Sequence, residues 1–142
     1  MSFVAATECK LGVSPEVAFD RLADHASWGT WMPRTFRPVG PSRGVLREGD
    51  KLRVRIAGAP VASPIVVRVV RRPREIMWTG GVPGLLFAEH HFFFDEEDGG
   101  VRVRSVETWS GALSLVVRRL VQPRAASIGG EQLTGLARAV SA

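Results

Sequence analysis

From Lys51 to Gly111 apolar and polar side chains alternate with a period of two, and no other feature constrains the fold of this chain as strongly. In "DKLRVRI", Leu52, Val54 and Ile56 share one face while Lys51, Arg53 and Arg55 share the other, the pattern of a strand packed on one side and wet on the other. "PIVVRVVRR" from Pro64, "EIMWTG" from Glu75 and "VRVRSVETW" from Val101 continue the series, with short breaks between them. Consecutive strands joined by short connections make an antiparallel meander.

The flanks add one more strand and three helical pieces. Phe3 to Leu11 alternates as a strand. "VSPEVAFDRLAD" then supplies a helix start, with Ser14 as cap, Pro15 at the first helical position and Glu16 in the first turn; Val17, Phe19 and Leu22 are expected to face the core. In "HASWGTWMP" a second short helix would stack Trp28 and Trp31 on one side before Pro33 ends it. From Ala112 onward the spacing is helical again, with Leu113, Val117, Leu120, Ile128, Leu136 and Val140 forming an imperfect stripe. One long closing helix is expected, kinked or restarted at Pro123 and weakened at Gly129 and Gly130 by about 1 kcal/mol per glycine relative to alanine.

A chain of 142 residues suits one domain, residues 1–142, with a real hydrophobic core. Its 19 basic and 14 acidic residues leave a net charge of +5, which suits an anionic partner without identifying one. No recognised nucleic-acid-binding signature accompanies that charge, so nucleic acid is not expected as a partner. The start "MSFVAATECK" lacks the basic and apolar regions of a secretion signal, so a cytoplasmic location is the expectation. The longest uncharged runs, Ile56 to Val67 and Ile76 to Ala88, are broken by proline or glycine and fall short of the ~20 residues of a membrane-spanning helix. Cys9, the single cysteine, excludes an internal disulfide and reads as a buried thiol in a strand.

The order strand, two helices, meander, long last helix, carried by "SPEVAFDRLADHASWGTWMP", "GVLREGDKLRVRI", "PREIMWTGGVPG" and "GGVRVRSVETWSG", resembles the START-like helix-grip superfamily, in particular its polyketide cyclase and dehydratase branch. The resemblance implies an α+β fold in which a curved antiparallel sheet of six or seven strands wraps around the last helix, with two short helices between the first two strands. It also implies a cavity for an apolar ligand between sheet and helix. Because the superfamily includes cyclases, aromatases, lipid carriers and hormone receptors, fold membership leaves the chemistry open.

The candidate site follows from the hairpin around "EEDGG". If Phe94 faces Val101, then Phe92 faces Val103, His90 faces Ser105, Ala88 faces Glu107 and Leu86 faces Trp109. Arg102 and Arg104, with Phe93 and His91, then mark the wet face, and His90, Ser105, Glu107 and Trp109 point toward the last helix. His90 and Glu107 would be diagonal neighbours, ~7 to 8 Å apart at Cα, close enough to meet directly or through a water. A carboxylate holding one imidazole nitrogen leaves the other free for proton transfer, as cyclisation or dehydration of a polyketide-like substrate needs. The competing reading is structural: His90 and Ser105 satisfy each other, and Glu107 binds an arginine or a backbone group. Trp109 and Trp78 would offer flat surface to an aromatic ligand, with Phe92, Trp28, Trp31 and Leu120 as further candidate lining residues. Trp28 and Trp31 read first as core and rim packing of the small helices and only second as ligand contacts.

Other chemistry finds little support. His90 and His91 are neighbours on a strand and point to opposite faces, so they cannot easily share a metal, and no cofactor motif is present. "DEEDGG" lacks the spaced ligands of a calcium loop and suits a hairpin turn. No serine stands in a G-x-S-x-G turn. The loop "TGGVPGL" reads as a pocket lid or as a tight strand connection. Three functions remain: a binder or carrier of a small hydrophobic or aromatic molecule, a cyclase or dehydratase using His90 and Glu107, and a protein-interaction module working through the outer arginines. Phe93 among those arginines points to a partner surface, and a homodimer is left open.

Overall fold

A computed structural model of the chain describes residues 2–141. β1 (Ser2–Leu11) leads into α1 (Pro15–Ala23), a short 3-10 turn (His25–Ser27) and α2 (Trp28–Trp31). The meander follows as β2 (Phe36–Val39), β3 (Lys51–Ile56), β4 (Ser63–Arg71), β5 (Glu75–Val82), β6 (Leu86–Glu97) and β7 (Gly100–Ser110), and α3 (Ser114–Ser141) closes the fold. The seven strands form one antiparallel sheet in the order β1-β7-β6-β5-β4-β3-β2, so the first strand returns to pair with the last. The sheet curls into a half-barrel around α3, an α+β helix-grip architecture.

α1 begins where its cap chemistry dictates: the Ser14 side chain accepts a hydrogen bond from Val17 N at 3.2 Å, and Pro15 occupies the first turn. Its buried face is Pro15, Ala18, Phe19, Leu22 and Ala23, a regular i, i+3, i+4 set. Val17 falls between those rows and is exposed, contrary to the expectation that it faces the core.

The β6–β7 hairpin differs from the sequence-based register by two residues. Glu97 pairs with Gly100, so the turn is only Asp98-Gly99, both at positive φ (40° and 76°), the handedness that matches strand twist. Phe94 therefore faces Val103, Phe92 faces Ser105, His90 faces Glu107 and Ala88 faces Trp109. Because the shift is even, every side chain keeps the face assigned to it. On the outer face, Arg104 lies over the Phe93 ring at 4.7 Å and bonds Asp95, while Arg102 bonds Glu97 through two nitrogens at 2.7 Å.

α3 runs without interruption from Ser114 to Ser141 and does not restart at Pro123, an exposed position. Its glycines are points of close approach rather than weaknesses. A Cβ on Gly129 would come 3.0 Å from Ser105 Oγ, and one on Gly135 would come 2.4 Å from the Trp31 carbonyl oxygen. The expected apolar stripe holds for Leu136, which is buried, and for Ile128 and Val140, which pack on the core, but Leu113 and Leu120 are exposed. The buried face of the helix is completed by Gln132 and Leu133. No helix among the described residues is long and apolar enough to cross a membrane.

The core lies between the sheet's concave face and the helices, and at its centre is an aromatic block. Trp28 sits 5.4 Å from Trp78 and 6.1 Å from Phe36, and Trp78 lies 5.1 Å from Phe92. The Trp28 indole N–H donates to the Leu22 carbonyl at 2.9 Å, so this large side chain is buried with its polar atom satisfied.

Candidate functional site

β6 and β7 place four polar-ended side chains in a row on the concave face, two hydrogen-bonded pairs joined by a close His90–Glu107 contact. Ser105 Oγ lies 2.8 Å from His90 Nε2, His90 Nδ1 lies 3.1 Å from Glu107 Oε2, and the Trp109 indole N–H donates to Glu107 Oε1 at 2.5 Å. Strand alternation aligns Ser105, Glu107 and Trp109 on one face, and His90 is the cross-strand partner of Glu107. The imidazole is further held by stacking on Phe92 at 4.3 Å and an edge contact with Trp78 at 5.3 Å. One nitrogen of His90 faces Ser105, as the structural reading expected, and the other faces Glu107, so neither is left free as the acid–base reading expected; Glu107 pairs with the Trp109 indole rather than with an arginine or a backbone group.

Burial controls the protonation of this row. It pushes His90 down to about 3, helped by the nearby His91, and so holds the imidazole neutral. It pushes Glu107 up to about 7, against the opposing pull of the Trp109 hydrogen bond. A neutral imidazole has one N–H and one acceptor nitrogen, so the His90–Ser105 hydrogen bond can be made with Nε2 as donor or as acceptor.

This row borders a cavity of about 290 Å³ between the sheet and α3, near the lower end of the roughly 300–1,000 Å³ typical of small-molecule sites. Phe36, Ile56, Leu120 and Ile128 supply apolar wall, and His90, Glu107, Trp109 and Gln132 supply polar atoms. Trp109 is also stacked on Phe3, with ring planes 4° apart. Arg124 reaches the rim, where Gly58, at φ 85°, lies so close that a Cβ there would be 3.1 Å from its Nη1.

Of the residues singled out from sequence, His90, Glu107, Trp109 and Leu120 come together on this cavity. Trp78, Phe92, Ser105 and Trp28 are buried behind it as the packing that fixes His90 and the core. Trp31 lies elsewhere, in an open groove of about 1210 Å³ between β1, α2 and the far side of α3, together with Cys9, Lys10 and Arg138. That groove contains none of the His90 row, so the smaller cavity is the candidate site. Burial pushes the Cys9 thiol pKa up, away from nucleophilic character. Of the stretch from Thr79 to Leu85, Thr79–Val82 belong to β5 and only Pro83–Leu85 form the tight connection to β6, fastened to the segment before α3 by Ala112 N–H to Gly84 O and Leu113 N–H to Leu85 O at 2.9 Å each; none of these residues lines the cavity.

Sequence reasoning missed Phe36, Ile56, Arg124, Ile128 and Gln132 as lining residues. Ile128 and Gln132 were legible in principle as an i, i+4 pair on one helical face. Phe36 had no such signal, because β2 is a four-residue strand containing a proline.

No curated protein matches the chain by sequence. Solved structures match its fold closely: a hypothetical protein of Helicobacter pylori has a TM-score of 0.75 at 15% identity, covering 97% of this chain and 88% of its own. The di-domain ARO/CYC BexL from the BE-7585A biosynthetic pathway matches with a TM-score of 0.74 at 17% identity, covering 99% of this chain and 50% of its own. The structure of Ara h 8.0201 matches with a TM-score of 0.63 at 14% identity, covering 99% of this chain and 98% of its own. At such identities these likenesses speak to the fold. A family model described as polyketide cyclase / dehydrase and lipid transport matches residues 4–141, from β1 to the last turn of α3. A curled seven-stranded sheet, a gripping last helix and a cavity between them are what that match spans, and the chain belongs to this family.

Proposed function

We propose that this chain binds a small, mostly apolar molecule, aromatic, polyketide-like or lipid-like, in the cavity between the sheet and α3. The observation that carries the reading is the cavity itself: apolar walls from Phe36, Ile56, Leu120 and Ile128 around a small set of convergent polar groups. The family description and the di-domain ARO/CYC neighbour favour the same ligand class. Native mass spectrometry of the purified protein, before and after denaturation, tests it, with thermal-shift screening of aromatic polyketides and lipids alongside. A retained or stabilising ligand is the expected result; no mass shift and no stabilisation across a broad panel would count against it.

A second reading is favoured by one observation, the Ser105–His90–Glu107 row at the cavity wall. A carboxyl near 7 at the wall of the cavity can both give and take a proton at neutral pH. The sequence reading gave the proton transfer to His90 with Glu107 as its orienter; with both His90 nitrogens occupied and the imidazole held neutral, the roles are better exchanged, Glu107 trading the proton with the substrate and His90 positioning it. With a confirmed substrate, Glu107→Gln should abolish most turnover; unchanged rates in Glu107→Gln and His90→Ala remove both residues from the mechanism. A third reading is an interaction module on the outer face through Arg53, Arg55 and Arg102; Arg53 and Arg55 are exposed on β3, whereas Arg102 is matched by Glu97, and loss of a partner on reversing these three charges with the cavity intact would favour it.

A further inference from the structure

We infer that the ligand carries a hydrogen-bond donor and an acceptor on neighbouring atoms at its inner end, as in a carboxamide, a lactam or a β-hydroxy-carbonyl unit, and that Gln132 is the residue that reads them. This deepens the cavity-binding reading above and rests on it.

Gln132 is 1% exposed, lines the cavity, and neither its Nε2 nor its Oε1 has a hydrogen-bond partner among the described residues. Buried side-chain polar atoms are mostly paired, and a glutamine amide has two donors and two acceptor sites to satisfy. A leucine of similar size at this position would pack against the same walls without leaving polar atoms stranded. The other polar groups on the inner wall are already engaged: His90 with Ser105 and Glu107, and Glu107 with Trp109. Gln132 alone among these wall residues has its full capacity unused.

Its position on α3 gives the direction of the ligand. Gly129, three residues earlier, marks the line of closest approach to the sheet at Ser105, and helical side chains lean back over the turn that precedes them. Gln132 thus leans over Gly129 and Ile128 toward the cavity. At the other end of the same lining, Leu120 is 63% exposed. The polar end of the ligand goes inward to Gln132, and its apolar body extends toward Leu120. A hydrocarbon would leave both amide atoms unpaired, and a ligand with only an acceptor would leave Oε1 unpaired, so the complement is a donor and an acceptor together.

The test is calorimetric titration of the full chain with three naphthalenes of similar outline: naphthalene-2-carboxamide, 2-acetylnaphthalene and 2-isopropylnaphthalene. They present a donor with an acceptor, an acceptor alone, and neither. Water solvates the carboxamide far better than the hydrocarbon, so an apolar cavity without a reader would favour the hydrocarbon strongly. The expected result is that the native chain binds the carboxamide at least as tightly as the hydrocarbon, and that Gln132→Leu moves the ratio toward the hydrocarbon by on the order of tenfold or more. Hydrocarbon binding tenfold tighter in the native chain, or an unchanged ratio in Gln132→Leu, overturns the inference while leaving the cavity reading intact. Failure of all three probes to bind overturns both. The comparison on the native chain alone decides the question if the variant does not fold.

Discussion

His90 and Glu107 face each other directly across the β6–β7 ladder, with Nδ1 3.1 Å from Oε2. The pair is coupled to pH from both sides. Burial raises the folded pKa of Glu107 to about 7 from an ordinary 4.5, so between these values the native chain holds a proton that the unfolded chain has lost. Stability from this group therefore falls as pH rises through that window and levels off above it. His90 moves the other way, from 6.5 to about 3, so its contribution rises with pH across that interval. The two slopes oppose each other where the windows overlap. Glu107→Gln leaves only the His90 slope, so the stability of the variant relative to the native chain should climb between pH 4.5 and 7, by about 3 kcal/mol if the carboxyl titrates alone. Urea unfolding of both proteins across that window measures it, and a flat difference contradicts it.

Ser105 is worth testing in the same row, because its hydroxyl lies 2.8 Å from His90 Nε2 in a buried setting. Ser105→Ala should cost about 1–3 kcal/mol, the usual penalty for a buried polar atom left without a partner. In a His90→Phe background, which keeps the stacking on Phe92 but removes the nitrogen, the same substitution should be nearly neutral. A double-mutant cycle by chemical denaturation reads the coupling, and additive effects would show that the two side chains merely share a wall.

The faces of the sheet were legible because the outer positions are arginines and the period of a strand is two. A register error of two residues at the β6–β7 turn left His90, Ser105, Glu107 and Trp109 on the concave side. The error itself arose because a sequence containing "EEDGG" allows several turn lengths, and the choice of Asp98-Gly99 depends on backbone twist. Function was less legible on α3. Pattern reading weights apolar residues, whereas the buried side of this helix includes Gly129, Gln132, Leu133, Gly135 and Leu136. Two glycines and a glutamine carry no hydrophobic signal, although Gly129 sets the approach of α3 to the sheet, Gly135 its approach to Trp31 of α2, and Gln132 one polar part of the cavity. Trp28 and Trp31 mark a short helix by their spacing, and their packing follows: Trp28 is buried in the core, and Trp31 packs against the core at the edge of the open groove.

The glycines of α3 make a paired prediction. Gly135→Ala would drive a Cβ to 2.4 Å from the backbone oxygen of Trp31, and backbone cannot yield as a side chain can. A loss of about 1–3 kcal/mol is expected from this overpacking. Gly130→Ala meets nothing nearer than Thr7 Oγ1 at 4.0 Å, so the gain in helix propensity, about 0.5–1 kcal/mol, should show as stabilisation. Thermal melts of the two variants should move in opposite directions; equal shifts would mean that α3 does not rest on Trp31 as described.

Filling the cavity separates binding at this site from binding elsewhere on the molecule. Ala125 is half-buried on the wall, one turn before Ile128 and Gly129, and its methyl borders space rather than packed core. Ala125→Phe should place a ring in that space at little cost in stability, because no dense packing has to move, and should weaken a cavity ligand at least about tenfold. Trp31→Ala, in the open groove on the other side of α3, should leave the same affinity unchanged. Titration of one ligand against both variants, with melting temperatures as the control for folding, makes the comparison. If Trp31→Ala abolishes binding and Ala125→Phe does not, the ligand occupies the groove, and the His90–Glu107 pair stands as a buried polar element of the core.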